Sequence, residues 1–278
     1  MIGFIGSVFS PWYAWSGRRD PANHCCLNVV TYGPGGRFTM TDRGRSALRQ
    51  SRDSLQIGPS RMHWQNGTLV IDVDEVSSPP RISRVTGQIR LTPSAITEVE
   101  ALLTPSATHI WRPFAPSARI EVDLTQGHSW SGHGYFDANF GTEALEDDFK
   151  RWTWGRYPRS HGGTTVFYDG TRRDGSTLAL GLDISASGAV TAAPQPPLAR
   201  LPRTGWLLPR DTRCDAGKTP RQIMPLLDAP FYSRSVVQTD LGGETVRGVH
   251  EALDLTRFRN PLLKPMLALR VPRRADWP

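Results

Sequence analysis

The sequence predicts an all-β fold, because turn-forming residues are frequent and the stretches between them are short. The 278 residues include 26 glycines and 23 prolines, which favour many short strands over long helices. The hydrophobic share of 38 % is low, but nine tryptophans and ten phenylalanines provide large side chains for burial. We expect a globular chain built from closed barrels or sandwiches, which protect the edges of so many strands.

Strand signals recur through the first half of the chain. Asn66-Gly67 is a strong signal for a two-residue hairpin turn, and it separates runs at residues 61–65 and 68–73. Further strands are predicted at residues 26–32, 85–91, 107–111, 118–124 and 129–136. The single helix that the pattern supports is short and lies around residues 144–152.

A second series of strand signals follows. Its members are residues 164–168, 177–184, 205–208, 236–240, 246–255 and 267–271. The proline-rich stretch 192–202 predicts a loop. The two series meet near residues 140–165, so we expect two β domains, residues 1–155 and 156–278.

The chain is strongly basic, with a formal charge of +7 and a pI near 9.8. Such a surface suits nucleic acid or an anionic membrane, but no zinc-finger, RRM or helix-turn-helix signature accompanies it, so we expect no nucleic-acid partner. No run of 18 apolar residues predicts a membrane span. The aromatic stretch 2–15, followed by Arg18 and Arg19, suits a membrane surface and equally suits a segment packed into its own core.

Motifs for common cofactors are missing from the sequence. It contains no GxGxxG after a strand, no GxxxxGK[ST] and no GxSxG. Three cysteines with no CxxC spacing support neither a disulfide framework nor a zinc site, and they fit a reducing compartment. His128 and His133 are five residues apart, so on a strand they face opposite sides. We therefore expect neither a cofactor nor a metal.

Two residue pairs stand out as a candidate site. His109 and Trp111 are two residues apart, as are Tyr135 and Asp137, and residues at this spacing on a strand face the same side. If both strands line one barrel, the four side chains converge on one cavity. By spacing and composition alone, a core tryptophan and an aspartate at a turn or strand cap are the more frequent interpretations.

This set of side chains matches the needs of alkene hydration. Protonating a carbon requires an acid, and burial raises the pKa of a carboxyl group so that it can supply the proton. An indole face stabilises the resulting carbocation by roughly 2 kcal/mol or more when water is excluded. A histidine or tyrosine can hold the attacking water.

Residues 130–139 read Trp-Ser-Gly-His-Gly-Tyr-Phe-Asp-Ala-Asn, and with residues 145–154 they resemble the signature of the carotenoid 1,2-hydratases, also called hydroxyneurosporene synthases. Residues 24–33, 57–60, 109–113, 248–251 and 270–273 resemble other segments of that family. The resemblance spans nearly the whole chain. It implies a fold of two lipocalin-like β-barrel or sandwich domains with few short helices.

The resemblance also implies a function. Such hydro-lyases add water to the 1,2 double bond of acyclic carotenoids such as neurosporene and lycopene, without a cofactor. It implies that Asp137 protonates C2, that Trp111 stabilises the cation at C1, and that His109 and Tyr135 orient water and tune the acid. It further implies a peripheral location on the cytoplasmic side of the inner, photosynthetic membrane. The oligomeric state is left open.

Weaker candidates for lining the substrate site are Asn28, Tyr32, Trp130 and Phe136, and for Asn28 and Tyr32 structural roles are equally expected. Two other functions remain open: a non-enzymatic lipocalin-like carrier of a polyene or lipid, and a cofactor-free pericyclase. A pericyclase needs no strong acid, so the acid-centred set argues against it.

Overall fold

The computed structural model describes residues 1–125 and 128–275, and strands dominate them, which confirms the all-β class. The strands before residue 105 are β1 (Ile2–Ile5), β2 (Cys25–Val30), β3 (Phe38–Thr39), β4 (Asp42–Arg43), β5 (Leu48–Gln50), β6 (Ser54–Ile57), β7 (Ser60–Gln65), β8 (Thr68–Val76), β9 (Arg84–Pro93) and β10 (Ala101–Leu102). Two long strands follow, β11 (His109–Leu124) and β12 (His128–Gly141).

The later strands are β13 (Phe149–Pro158), β14 (Thr164–Arg172), β15 (Thr177–Ile184), β16 (Val190–Ala192), β17 (Leu198–Leu201), β18 (Arg210–Arg213), β19 (Arg221–Asp228), β20 (Tyr232–Leu241), β21 (Glu244–Asp254) and β22 (Arg273–Arg274). The α-helices are α1 (Pro11–Trp15), α2 (Leu145–Asp148), α3 (Leu255–Phe258) and α4 (Leu263–Arg270), and 3₁₀ turns form at Pro21–Asn23 and Arg45–Ala47. No described helix is long and apolar enough to cross a membrane.

Several elements differ from the sequence prediction. The predicted helix at residues 144–152 shortens to α2, and the predicted strand at 267–271 is the end of α4 and the residue after it. Short apolar runs such as Leu-Ala-Leu do not distinguish helix from strand by periodicity. The predicted strand at 205–208 is irregular, with Leu207 at a φ of +60°. The predicted loop 192–202 contains β17, which begins after the prolines and pairs with β18.

The chain forms two compact units. Unit 1 comprises the described residues of Met1–Pro93, Ala118–Tyr135 and Pro261–Pro278, and unit 2 comprises Ser94–Ser117 and Phe136–Asn260. The sequence prediction placed a single boundary after residue 155, which lies inside β13. Instead, the chain passes between the units within β11 and β12, so both units are discontinuous in sequence.

Unit 1 contains an antiparallel sheet in the order β5, β6, β7, β8, β9 and the second half of β11. The predicted hairpin is confirmed: Gln65 pairs with Thr68, and Asn66 and Gly67 have φ values of +51° and +75°, as a type I′ turn requires. A second sheet has the order β1, β2, β4 and β22, with β3 beside β2. β22 joins parallel to β4, so residues near both ends of the chain share one sheet.

Unit 2 is built on a large antiparallel sheet in the order β16, β15, β14, β13, β21, β20 and β19. One face packs Tyr157 and Phe167 into an apolar cluster, and Tyr157 also hydrogen-bonds through its hydroxyl to Thr212 of the β17–β18 hairpin at 2.6 Å. We call this the hairpin face. The opposite face carries the candidate site.

Candidate active site

A row of polar and aromatic side chains crosses the large sheet of unit 2. Arg234 of β20 pairs with Glu251 of β21, Glu251 with Trp154 of β13, and Trp154 with Tyr168 of β14. Residues directly opposite each other in neighbouring strands point to the same side of a sheet. These four side chains therefore share one face, which we call the site face.

β11 and β12 bring an indole and a carboxyl group together. Trp111 Nε1 donates a hydrogen bond to Asp137 Oδ2 at 2.8 Å. Trp111 is 1 % exposed, and its ring meets Tyr168 of the site face edge to face with centroids 5.9 Å apart. Tyr168 also contacts Trp152, with centroids 5.4 Å apart. The acid and its indole partner thus lie against an aromatic part of the site face.

The surroundings of Asp137 favour its protonated form. The pKa of this carboxyl rises from 3.8 to about 6, chiefly because burial disfavours the charged form. The nearby Glu251 carboxylate raises the pKa further, whereas the Trp111 hydrogen bond and Arg234 lower it. Arg234 also forms an ion pair with Glu251, so its charge does not serve Asp137 alone. The result is a carboxyl group that exchanges its proton near neutral pH.

His109 pairs with a different carboxylate. Its Nε2 lies 3.0 Å from Asp148 Oδ2, which also accepts a hydrogen bond from the Thr108 hydroxyl at 2.7 Å. The ring packs beside Phe149, with centroids 5.6 Å apart. Burial lowers the pKa of His109, although Asp148 opposes that change, so the ring is neutral at neutral pH. In the part of the chain that the structure describes, His109 contacts Asp148 rather than Asp137.

Gly141, at the end of β12, has a packing role beside this histidine. A Cβ atom added at residue 141 would lie 2.8 Å from His109 Nδ1, closer than ordinary packing allows. A side chain here would displace the imidazole ring. The glycine therefore preserves the position of the ring relative to Asp148.

The other predicted site residues lie in varied places. Tyr135 is half-buried and belongs to unit 1. Phe136 stacks on Phe114 with ring planes 16° apart and centroids 5.6 Å apart. Strand alternation turns Phe136 to the side of β12 opposite Asp137, so these neighbours in sequence do not share a surface.

The candidates from unit 1 have mainly structural surroundings. Asn28 is buried, and its amide donates to the Thr39 carbonyl at 2.7 Å. Tyr32 lies just after β2 and is half-buried. Trp130 is exposed on a shallow groove of about 540 Å³ whose lining includes Arg90, Arg119 and Glu121. That charged lining does not suit a hydrocarbon ligand.

Sequence reasoning missed Tyr168, Arg234 and the partnership of Asp148 with His109, and assigned Glu251 no role. Glu251 is more than a hundred residues from Asp137 in the chain. Only the register of β13, β14, β20 and β21 brings this row together. Asp148 follows an acidic stretch that is typical of a solvated turn, and no local pattern marks its histidine partner.

The cysteines and the metal-ligating residue types do not form a site. The three cysteines are buried and free, and burial raises the pKa of the Cys25 thiol to about 11. Within residues 1–125 and 128–275, no group of three His, Cys, Asp or Glu side chains is arranged to hold a metal ion.

Comparisons with known proteins identify the family to which this chain is similar. The family model of the carotenoid hydratase CrtC matches residues 1–278. The acyclic carotenoid 1,2-hydratases of Cereibacter sphaeroides and Rhodobacter capsulatus are 66 % and 60 % identical to this chain; each match covers 100 % of the chain and 99 % of the relative.

A solved structure shows a similar fold. A protein described as AttH from Nitrosomonas europaea has a TM-score of 0.56 at 14 % identity, with 83 % of this chain and 81 % of that one covered. At this identity the likeness concerns the fold alone, and it confirms the predicted lipocalin-like class. The full-length match to the family model and the two close relatives show that this chain belongs to the carotenoid hydratase CrtC family, a family of hydro-lyases.

Proposed function

We propose that this protein is an acyclic carotenoid 1,2-hydratase that uses Asp137 as its acid. It adds water to the C1–C2 double bond at the ψ-end of carotenoids such as neurosporene and lycopene. The names of its relatives support this substrate class. The observation that carries the mechanism is the Asp137 carboxyl, which has a pKa near 6 and hydrogen-bonds to a buried indole.

The first step is transfer of the Asp137 proton to C2, which places the positive charge on the tertiary carbon C1. The carboxylate that remains needs stabilisation as its charge develops. The Trp111 N–H stabilises that carboxylate, because its hydrogen bond favours the charged form of Asp137. The bond is already formed before the reaction, so no group has to reorient as the proton leaves.

The second step is capture of the cation by water. Trp111 bonds Asp137 through the edge of its indole, so the acid contact does not occupy a ring face. Indole and phenol faces attract a cation, and the nearby rings of Trp152 and Tyr168 extend the aromatic surface. Water then bonds through its oxygen to C1 and gives up one proton, so the net change is the addition of one water molecule.

His109 and Tyr135 orient the water and receive its proton in this proposal. The neutral His109 ring has a free electron pair on one nitrogen, and Asp148 stabilises the imidazolium that proton transfer produces. Tyr135 is two residues from Asp137 on β12. The proton finally returns to Asp137 or to solvent, which restores the acid.

The substrate also supports a location for the protein. An acyclic carotenoid is a hydrocarbon that partitions into a bilayer, so the enzyme must meet it there. We place the protein peripherally on the cytoplasmic side of the inner, photosynthetic membrane.

The direct test is incubation of the purified protein with lycopene in liposomes made in ¹⁸O-labelled water. The proposal expects a product that is heavier by one labelled water and carries a tertiary hydroxyl, as mass spectrometry will show. A coloured stoichiometric complex with no hydroxylated product, unchanged by Asp137→Asn, would instead identify a carrier. An isomer of unchanged mass would identify a pericyclase.

A further inference from the structure

Helices α1 and α4 of unit 1 lie side by side although they come from opposite ends of the chain. Trp12 of α1 donates its indole N–H to the carbonyl of Val271, just after α4, at 2.7 Å. Val271 is buried with Cys26 and Met40, and Phe9 packs against that cluster. The two helices are thus anchored to the core of unit 1.

The outer side of α4 is apolar. Leu262, the N-cap residue of α4, is 80 % exposed, Leu269 is 74 % exposed, and Met266 is 37 % exposed. Their spacing of four and three residues places them on one stripe of a helix. Lys264 of the same helix is buried. A helix that packs on its own core buries its apolar residues and exposes its charges, whereas α4 only partly buries Leu263 and Leu267 and leaves Met266 and Leu269 exposed.

An aromatic residue of α1 is also exposed. Trp15 ends α1, is 52 % exposed and meets Trp12 edge to face, with ring centroids 5.3 Å apart. Tryptophan favours the boundary between water and a bilayer, because its ring is apolar and its N–H is polar. We call Trp15, Leu262, Met266 and Leu269 together the helix-pair surface.

The two chain segments that carry this surface have charge of one sign, although the exposed Asp20 follows Arg19 and Arg273 pairs with Asp42. Residues 1–19 and 261–275 contain no aspartate or glutamate, whereas they contain six cationic residues: Arg18, Arg19, Lys264, Arg270, Arg273 and Arg274. Elsewhere the chain has 26 acidic residues to offset its basic ones. Arg19 and Arg274 are exposed. Exposed apolar side chains with a positive surround match the headgroup region of an anionic bilayer.

We propose that the helix-pair surface docks the protein on an anionic lipid bilayer, with Trp15, Leu262, Met266 and Leu269 entering the headgroup region. The docking goes beyond the reaction itself. It stands on the helix-pair surface and does not depend on which carotenoid is the substrate or on the role of Asp137. It rests on the peripheral location in the proposed function and names the surface behind it, so a failed docking test removes that location and leaves the proposed reaction intact.

The test is co-sedimentation of the full-length protein with vesicles of phosphatidylcholine and phosphatidylglycerol. We expect the variant L262S/M266S/L269S to bind about tenfold more weakly or worse, since three apolar side chains no longer enter the bilayer. R19Q/R274Q should weaken binding to these vesicles and leave binding to pure phosphatidylcholine unchanged. The matched control is L198S/I223S/M224S, which removes exposed apolar side chains from unit 2 and should bind like the wild type.

A second measurement does not depend on the folding of a multiple variant. Brominated lipids quench tryptophan within the bilayer, so the wild-type protein should lose more fluorescence on such vesicles than W15F does. Equal quenching of the two proteins, or equal sedimentation of wild type and L262S/M266S/L269S, overturns the proposal. So does a change from dimer to monomer in that variant with unchanged vesicle binding, which would assign the surface to a second copy of the chain.

Discussion

Two largely buried arginine–carboxylate pairs occupy opposite faces of the large sheet in unit 2. Arg234 pairs with Glu251 on the site face, and Arg213 pairs with Asp169 on the hairpin face. Both pairs are largely excluded from solvent. Because each joins one cation to one anion, neither pair by itself indicates a functional site.

The neighbours of the two pairs differ. On the site face a further carboxyl, Asp137, lies near Arg234 and Glu251 with an indole N–H as its hydrogen-bond donor, and its pKa is about 6. On the hairpin face the buried His250 has a pKa lowered to about 4, so it is neutral, and its Nε2 lies 2.9 Å from the carbonyl of Asp211. The site face thus differs from the hairpin face by a carboxyl without a cation of its own, which supports the proposed role of Asp137.

Replacing that carboxyl should have the largest effect on the reaction. Asp137→Asn keeps the shape but removes the transferable proton, so we expect the hydration rate to fall about a thousandfold. Folding should not suffer. Because the folded-state pKa is raised, the wild type loses stability as the pH rises from about 4 to about 6. Denaturant unfolding across this range should show that loss in the wild type and not in the variant; full hydration activity in the variant would refute the mechanism.

The Trp111 N–H can be removed while an aromatic ring is kept. Trp111→Phe should lower the rate by about ten- to a hundredfold, because the developing Asp137 carboxylate loses its hydrogen bond. The same loss raises the pKa of Asp137, so the alkaline limb of the pH–rate profile should move to higher pH. Trp152→Phe is the control, since it removes an indole N–H that does not bond Asp137. Equal pH–rate profiles for the wild type and Trp111→Phe would show that the ring alone matters.

Sequence reasoning reached one half of this site more easily than the other. Strand alternation put Trp111 with His109 and Asp137 with Tyr135, and the resemblance selected the reaction. Strand alternation does not say which strands face each other. For that reason the sequence did not predict that His109 contacts Asp148. It also gave no access to Tyr168 and Glu251, whose positions depend on pairing between strands far apart in sequence. The Asn66-Gly67 hairpin was predictable because its signal is local.

The pair on the site face should tune the acid in two directions. Glu251→Gln removes a negative charge near Asp137 and should lower its pKa, moving the alkaline limb to lower pH with a several-fold loss of rate at pH 7. Arg234→Met removes a positive charge and should move the limb the opposite way. Glu244→Gln is the control, because Glu244 also lies on β21 and pairs with Arg159. If the alkaline limb moves in the same direction in Glu251→Gln and Arg234→Met, the Arg234–Glu251 pair has only a structural role.

The pair on the hairpin face should affect the reaction least and stability most. Asp169→Asn leaves the largely buried Arg213 without its charged partner, which typically costs about 3–5 kcal/mol of stability. The pH–rate profile of the folded fraction should nevertheless match that of the wild type, because this charge lies on the far side of the sheet from Asp137. Measuring the profile at low temperature, with the folded fraction determined by circular dichroism, separates the two effects. A shifted alkaline limb in the pH–rate profile of Asp169→Asn would show that a charge on the hairpin face changes the pKa of Asp137 through the sheet. The two faces would then not be electrostatically separate.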